Sequence, residues 1–256
     1  MTFEIFNEKD RVLIPYFTFG DPSQDVTEQL ICKAFDSGAD IVELGIPFSD
    51  PIADGPVIQA SHFRALSLEV KPTIQRALSV VKRVKESYKK PIVFMASINL
   101  ILAFGGARFF EEARVSRLDG VIIPDLSIED VDEFKTLSDT TGVSLILLVS
   151  TLCSPQRLKK IVQSTDGFLY LISTTGTTGT RSELSKALPG FVKKIKSIRN
   201  VPVCIGFGVS SPEHVDEICR FADGAIVGSH LVRELEFNGP DAVVKEIQRF
   251  SKIVTA

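Results

Sequence analysis

Two carboxylates have positions that suit acid and base chemistry. Glu43 lies between Val42 and Leu44 in the apolar run DIVEL, and Asp54 follows it in GIPFSDPIADGP, residues 45–56. A carboxylate in a buried strand must find a partner or take up a proton, because desolvation disfavours its charge. The bland reading of Glu43 is an ion pair with a neighbouring strand, yet none of the chain's eight apolar runs contains a basic residue. A functional carboxyl is therefore expected. By parity Glu43 shares a strand face with Ile41 and Gly45, and that face must be the interior for the carboxyl to meet a ligand. The following loop has three prolines, two glycines and two aspartates in twelve residues, so it is stiff and holds Asp50 and Asp54 in defined places. Glu43, among apolar groups, is expected to have a raised pKa, and Asp54, on a loop, to stay ionised; such a split suits one acid and one base.

Two glycine-bearing ends could hold an anion. GFGV at 206–209 and Gly228-Ser229 each follow an apolar run, and glycine lets backbone N–H groups approach phosphate oxygens at a helix start. No G-x-G-x-x-G or Walker sequence is present, so the phosphate is small. STTGTTGTRS, residues 173–182, has no large apolar side chain and reads as a lid that orders over the ligand.

The elements that must position these groups are the eight runs themselves: VLIPYF, DIVEL, PIVFMA, GVII, SLILLV, GFLYLI, VPVCIG and GAIV. They are continuously hydrophobic, as parallel strands covered on both faces are. Between them lie helical stripes such as Ile74, Ala77, Leu78, Val81 and Val84, or Val243, Val244, Ile247, Phe250 and Val254. Pro72, Ser127 with Asp130, and Ser211-Pro212 signal helix starts. The eightfold alternation predicts a single α/β domain over residues 1–256, a closed (β/α)8 barrel with inserted catalytic and lid loops and an extra N-terminal helix within 2–10. Its active site belongs at the C-terminal ends of the strands. The spacing of 51 residues from the start of the second run to the start of the third marks an insertion.

Composition excludes several classes. With 29 basic and 32 acidic side chains, the net charge of −3 argues against a nucleic-acid partner. The four cysteines and three histidines are scattered, so neither a metal cluster nor a disulfide framework is expected. MTFEIFNEKD carries acids and no apolar signal core, and the most membrane-like stretch, 91–107, is short and interrupted by polar residues and glycines. A cytoplasmic protein without a membrane span is expected.

The segment ELGIPFSDPIADGPVIQ, residues 43–59, closely resembles the alpha chains of tryptophan synthase. The resemblance extends to PYFTFGDP at 15–22, to Thr178-Gly179 in the lid, to IGFGVSSPE at 205–213 and to VGS at 227–229. It implies a TIM barrel that cleaves indole-3-glycerol phosphate to indole and glyceraldehyde 3-phosphate, a lyase step of tryptophan biosynthesis. It also implies a tetramer of two alpha and two beta chains, with pyridoxal phosphate in the beta chain and no cofactor in this one. By position, Glu43 and Asp54 match the catalytic carboxylates. Gly179, Gly208, Gly228 and Ser229 match phosphate-binding positions, and Tyr16, Tyr170 and Phe207 match the walls of the indole and glycerol pocket. Thr178 matches the lid residue that contacts the second carboxylate, and Asp50 belongs to the surface that docks on the beta chain. Three departures are visible: Tyr16 where phenylalanine is common, Ser97 where an aromatic residue is frequent, and Ser127 where proline is usual. The alternatives are a weakly catalytic barrel that chiefly activates a beta chain, and another phosphosugar barrel such as an isomerase, for which the 43–59 loop has no evident purpose.

Overall fold

Every one of the eight apolar runs forms a parallel strand in the computed structural model, which describes residues 3–52, 54–172, 187–206 and 208–255. The strands are β1 (Val12–Thr18), β2 (Val42–Gly45), β3 (Ile92–Met95), β4 (Gly120–Ile122), β5 (Ser144–Ile146), β6 (Leu148–Ser150), β7 (Leu169–Ile172), β8 (Val203–Gly206) and β9 (Gly224–Val227). Nine segments arise from eight runs because SLILLV is interrupted at Leu147. There the backbone N–H donates to the buried Thr165 hydroxyl at 3.0 Å rather than to the ladder. The first half of that run pairs with β4 and the second with β7, and β9 pairs with β1, so the ring closes through one continuous stretch of chain.

The unbroken hydrophobicity of the runs conceals an alternation in what each residue touches. Val12, Ile14, Ile41, Val93, Met95, Ile122, Ile146, Tyr170, Cys204 and Ile226 fill the barrel interior. Their neighbours Leu13, Val42, Leu44, Phe94, Val121 and Leu171 face the surrounding helices. Both strand faces are dry, so both must be apolar. Ile41 inside and Val42 outside put Glu43 on the interior face, as its parity requires.

Twelve helices are present among the described residues: α1 (Ile5–Glu8), α2 (Gln24–Asp36), α3 (Pro56–Ser67), α4 (Ile74–Ser87), α5 (Ile98–Phe104), α6 (Gly106–Val115), α7 (Val131–Thr141), α8 (Pro155–Ser164), α9 (Leu188–Ile198), α10 (Pro212–Cys219), α11 (Ser229–Asn238) and α12 (Pro240–Val254). The stripe in α4 is buried as the spacing requires, and in α12 it is Val243, Ile247, Phe250 and Val254 that are buried. Ser211 caps α10, accepting from His214 N at 3.3 Å, with Pro212 in the first turn. The other two start signals need correction. Pro72 lies outside α4, whose cap is Thr73. Ser127 does not open α7: its hydroxyl accepts from Glu129 N at 3.3 Å in a local turn, and the helix starts at Val131. The insertion after β2 consists of the 46–55 loop and α3. The apolar stretch 91–107 divides into β3 and α5, and no helix among the described residues is long and apolar enough to cross a membrane.

The barrel floor is built from two devices. Phe3 and Phe6, flanking the start of the short helix α1, pack against Phe168 with ring centroids 5.8 Å away in each case. Around them an aspartate repeats before alternate strands of the ring. Asp40, Asp119, Asp166 and Asp223 accept from the backbone N–H of Leu13, Ile92, Leu145 and Val203 at 3.0, 2.8, 3.3 and 2.8 Å. Each also pairs with a lysine: Lys9, Lys85, Lys135 and Lys196 at 2.5, 2.7, 3.1 and 2.7 Å. Each carboxylate thus satisfies an N–H at the start of a neighbouring strand. These bonds hold the floor, while chemistry is left to the opposite rim.

Candidate active site

Glu43 is 1% exposed, and neither of its carboxyl oxygens has a hydrogen-bond partner among the described residues. The ion-pair reading therefore finds no support there. Burial first, and the charge of Asp54 second, push its pKa up from 4.5 to about 8. Asp54 stands in the stiff loop, its N–H bonded to Pro51 O at 3.2 Å and its carbonyl accepting from Gln59 Nε2 at 2.8 Å. Burial raises its pKa too, to about 6. The expected order is kept, since Asp54 ionises before Glu43, but the loop is crowded enough that Asp54 does not keep an ordinary value. At pH 7 one carboxyl is loaded with a proton and its neighbour is mostly an anion.

Glu43 and Asp54 line one cavity of about 440 Å³, mouth included, together with Tyr16, Tyr170, Gly208, Gly228 and Ser229. Ile58, Met95, Val209 and Ile226 complete its walls. These four were not singled out in the sequence; all but Ile58 lie at or just beyond strand ends, where the barrel reading places the site. One side of the cavity is the start of α11. Gly228 occupies the cap position with no side-chain hydrogen bond to the helix, unlike Ser211 on α10, so the first N–H groups of α11 have no side-chain cap. A helix N-terminus in that state attracts an anion without a basic residue, and none of the described residues that line this cavity is basic.

Two glycines shape the cavity by close approach. Tyr16 is paired in register with Glu43, and its phenol leans along the strand across Gly45, where an added Cβ would lie 2.0 Å from the hydroxyl oxygen. Tyr170 crosses Gly206 in the same way, at 2.1 Å. Any side chain at either glycine would displace a tyrosine from the wall.

Asp50 does not share the main cavity. It lines an adjoining hollow of about 370 Å³ with Phe48, His62, Ser97 and Asp125, and Tyr16, Asp54 and Met95 border both. Ser97 donates to Asp125 at 2.7 Å and caps α5 by accepting from Asn99 N at 3.3 Å, so a small polar residue has a local role there. Thr178, Gly179 and Phe207, together with the lid stretch 173–182, lie outside the described residues. Among the described residues no three His, Cys, Asp or Glu side chains converge as a metal site.

The geometry can be set beside known proteins. A curated tryptophan synthase alpha chain from Geotalea daltonii is 39% identical over 243 residues, covering 94% of this chain and 91% of that one. Among solved structures, a chain of the tryptophan synthase a2b2 complex of Pyrococcus furiosus matches with a TM-score of 0.87 at 38% identity, over 94% of this chain and 98% of that one. A chain of Mycobacterium tuberculosis tryptophan synthase matches with a TM-score of 0.89 at 30% identity, over 100% and 97%. The family model described as tryptophan synthase alpha chain matches residues 3–255. With eight strand-and-helix units closed into a TIM barrel and a carboxyl pair at its rim, the chain belongs to the tryptophan synthase alpha chain family.

Proposed function

We propose that this barrel cleaves indole-3-glycerol phosphate to indole and glyceraldehyde 3-phosphate, with Glu43 as acid and then base and Asp54 as the stabilising anion. The observation that carries the assignment is the pair itself, two carboxyl groups lining one cavity, with burial raising Glu43 to about 8 and Asp54 only to about 6. Glu43 delivers its proton to the ring carbon that bears the glycerol chain, and positive charge then develops at the ring nitrogen. Asp54, as an anion, stabilises that charge. Glu43, now a carboxylate, takes the proton of the adjacent chain hydroxyl. The oxygen's electrons form the aldehyde C=O, the carbon–carbon bond breaks, and its electron pair restores the neutral indole. Glu43 ends as it began, protonated, so one residue serves both steps without outside proton transfer. The phosphate is assigned to Gly208, Gly228, Ser229 and the start of α11, and the ring to the wall formed by Tyr16, Tyr170 and Met95. Phe207, Thr178 and Gly179 are assigned to the ligand by sequence position alone.

The partner in this reading is a tryptophan synthase beta chain that receives indole in an α2β2 assembly. Asp50 is exposed on the loop after β2. Ile52, Leu102 and Leu152, in segments that follow β2, β3 and β6 on the same rim, are 75%, 54% and 85% exposed, an apolar set suited to docking. Pyridoxal phosphate is assigned to the beta chain and no cofactor to this one; a cytoplasmic location and a single domain go with the proposal. A barrel that only activates a beta chain is less well supported, because a buried carboxyl with no partner among the described residues costs stability that such a protein need not retain.

Indole release from indole-3-glycerol phosphate, measured with and without a beta chain, tests the proposal. Release in at least one state is expected, and no release in either would remove the lyase reading in favour of the activator.

A further inference from the structure

His62 was one of three scattered histidines in the sequence; in the fold it joins β1, the catalytic loop and α3. Phe48 N–H, which can only donate, points to His62 Nδ1 at 3.4 Å. An acceptor at Nδ1 puts the ring proton of the neutral imidazole on Nε2, which stands 3.3 Å from the Tyr16 hydroxyl oxygen. Tyr16 then accepts from His62 and turns its own hydrogen to Thr18 Oγ1 at 3.3 Å. Thr18 donates to Ser61 Oγ at 2.6 Å, and Ser61 donates to Ile58 O at 2.7 Å. The direction of every bond follows from the first. Both ends of the series are backbone groups, so it has no open end through which to pass a proton, and its effect is to hold.

What it holds is the segment that contains Asp54. Phe48 lies before Asp54 and α3 begins just after it, so one buried series fastens the loop on both sides to the strand bearing Tyr16. His62 is 5% exposed, and burial lowers its pKa to about 4, which keeps Nδ1 free to accept across the neutral range. The charged group acting on His62 is Asp21, and Asp54, Glu43 and Asp21 all act on its partner Tyr16.

We propose that His62 is a positioning residue for the cleavage reaction, fixing through Phe48 and Tyr16 the loop that places Asp54 against the substrate's ring nitrogen. The proposal rests on the cleavage reading, and the experiment separates the two. Three variants of the full chain are compared with wild type in the presence of beta chain: His62→Asn, which keeps an acceptor near Nδ1; His62→Gln, which keeps a donor near Nε2; and His62→Leu, which keeps neither. Misplacing a catalytic group by about 1 Å can cost on the order of 100-fold. For His62→Leu, kcat is expected to fall roughly 10- to 100-fold, with KM changed less than about threefold. The acid limb of kcat/KM should also move down, because a released loop exposes Asp54 to water. His62→Asn is expected to recover most of kcat and the position of the acid limb, and His62→Gln to remain impaired. If His62→Leu does not fold, the Asn and Gln variants decide alone. Equal kcat and equal acid limbs in those two, or a folded Leu variant with wild-type values, would overturn the proposal. Failure of the wild type to release indole would instead overturn the cleavage reading.

Discussion

Glu43→Gln is expected to lose indole release by about 10²- to 10⁴-fold, the range for a removed general acid and base, while still binding a phosphorylated ligand. The same variant is expected to be more stable than wild type, and the gain should depend on pH. Below pH 4.5 the carboxyl is neutral whether the chain is folded or unfolded, and burying it carries no ionisation cost. Above 4.5 the unfolded chain releases a proton that the folded chain retains up to about pH 8. The folded state therefore binds more protons across that window, and stability falls as pH rises through it, by about 1.4 kcal/mol per unit. At pH 7 the cost is on the order of 3 kcal/mol. Glutamine cannot titrate and is as poorly partnered as the protonated acid, so it escapes this term alone. Thermal unfolding of both proteins between pH 5 and pH 8 should show a gap that widens with pH in favour of the variant. A constant gap would mean that Glu43 is not held protonated by burial.

Asp54→Asn is expected to reduce cleavage by about 10²- to 10³-fold, because it removes a fixed charge aimed at a charge that develops only during reaction. Its signature lies in the pH dependence. The acid limb that reports ionisation of Asp54 should disappear. The alkaline limb should move down, because the negative charge of Asp54 is one of the two causes that raise Glu43. A variant that loses activity but keeps both limbs would show that Asp54 supports the loop rather than the chemistry.

Much of this arrangement was legible in the sequence, for physical reasons. A parallel strand in a barrel is dry on both faces, so eight unbroken apolar runs had few other structures open to them. Within one such run a carboxylate was conspicuous, and the two-residue repeat of a strand fixed which way it faced. The break at Leu147 was hidden because its cause, the Thr165 hydroxyl, lies 18 residues away in a segment with no apolar pattern. The floor aspartates did leave a trace, an Asp-Gly pair at 119–120, 166–167 and 223–224, but isolated Asp-Gly reads as a turn rather than as a clamp on a neighbouring strand. The raised pKa of Asp54 comes from tertiary crowding, which a loop sequence does not encode. Tyr16 reads as a wall residue by resemblance and His62 as a scattered histidine, while Ser61 gives no signal; only the packing of α3 against β1 makes them one series.

The claim common to these results is that one buried carboxyl is loaded and its neighbour ionised at neutral pH. The pH profile of kcat/KM for indole-3-glycerol phosphate cleavage by the wild-type protein tests it most directly. A bell is expected, with its acid limb near 6, from Asp54, and its alkaline limb near 8, from Glu43. A profile that rises through pH 8 without turning over, or one that is flat from pH 5 to pH 9, would contradict it.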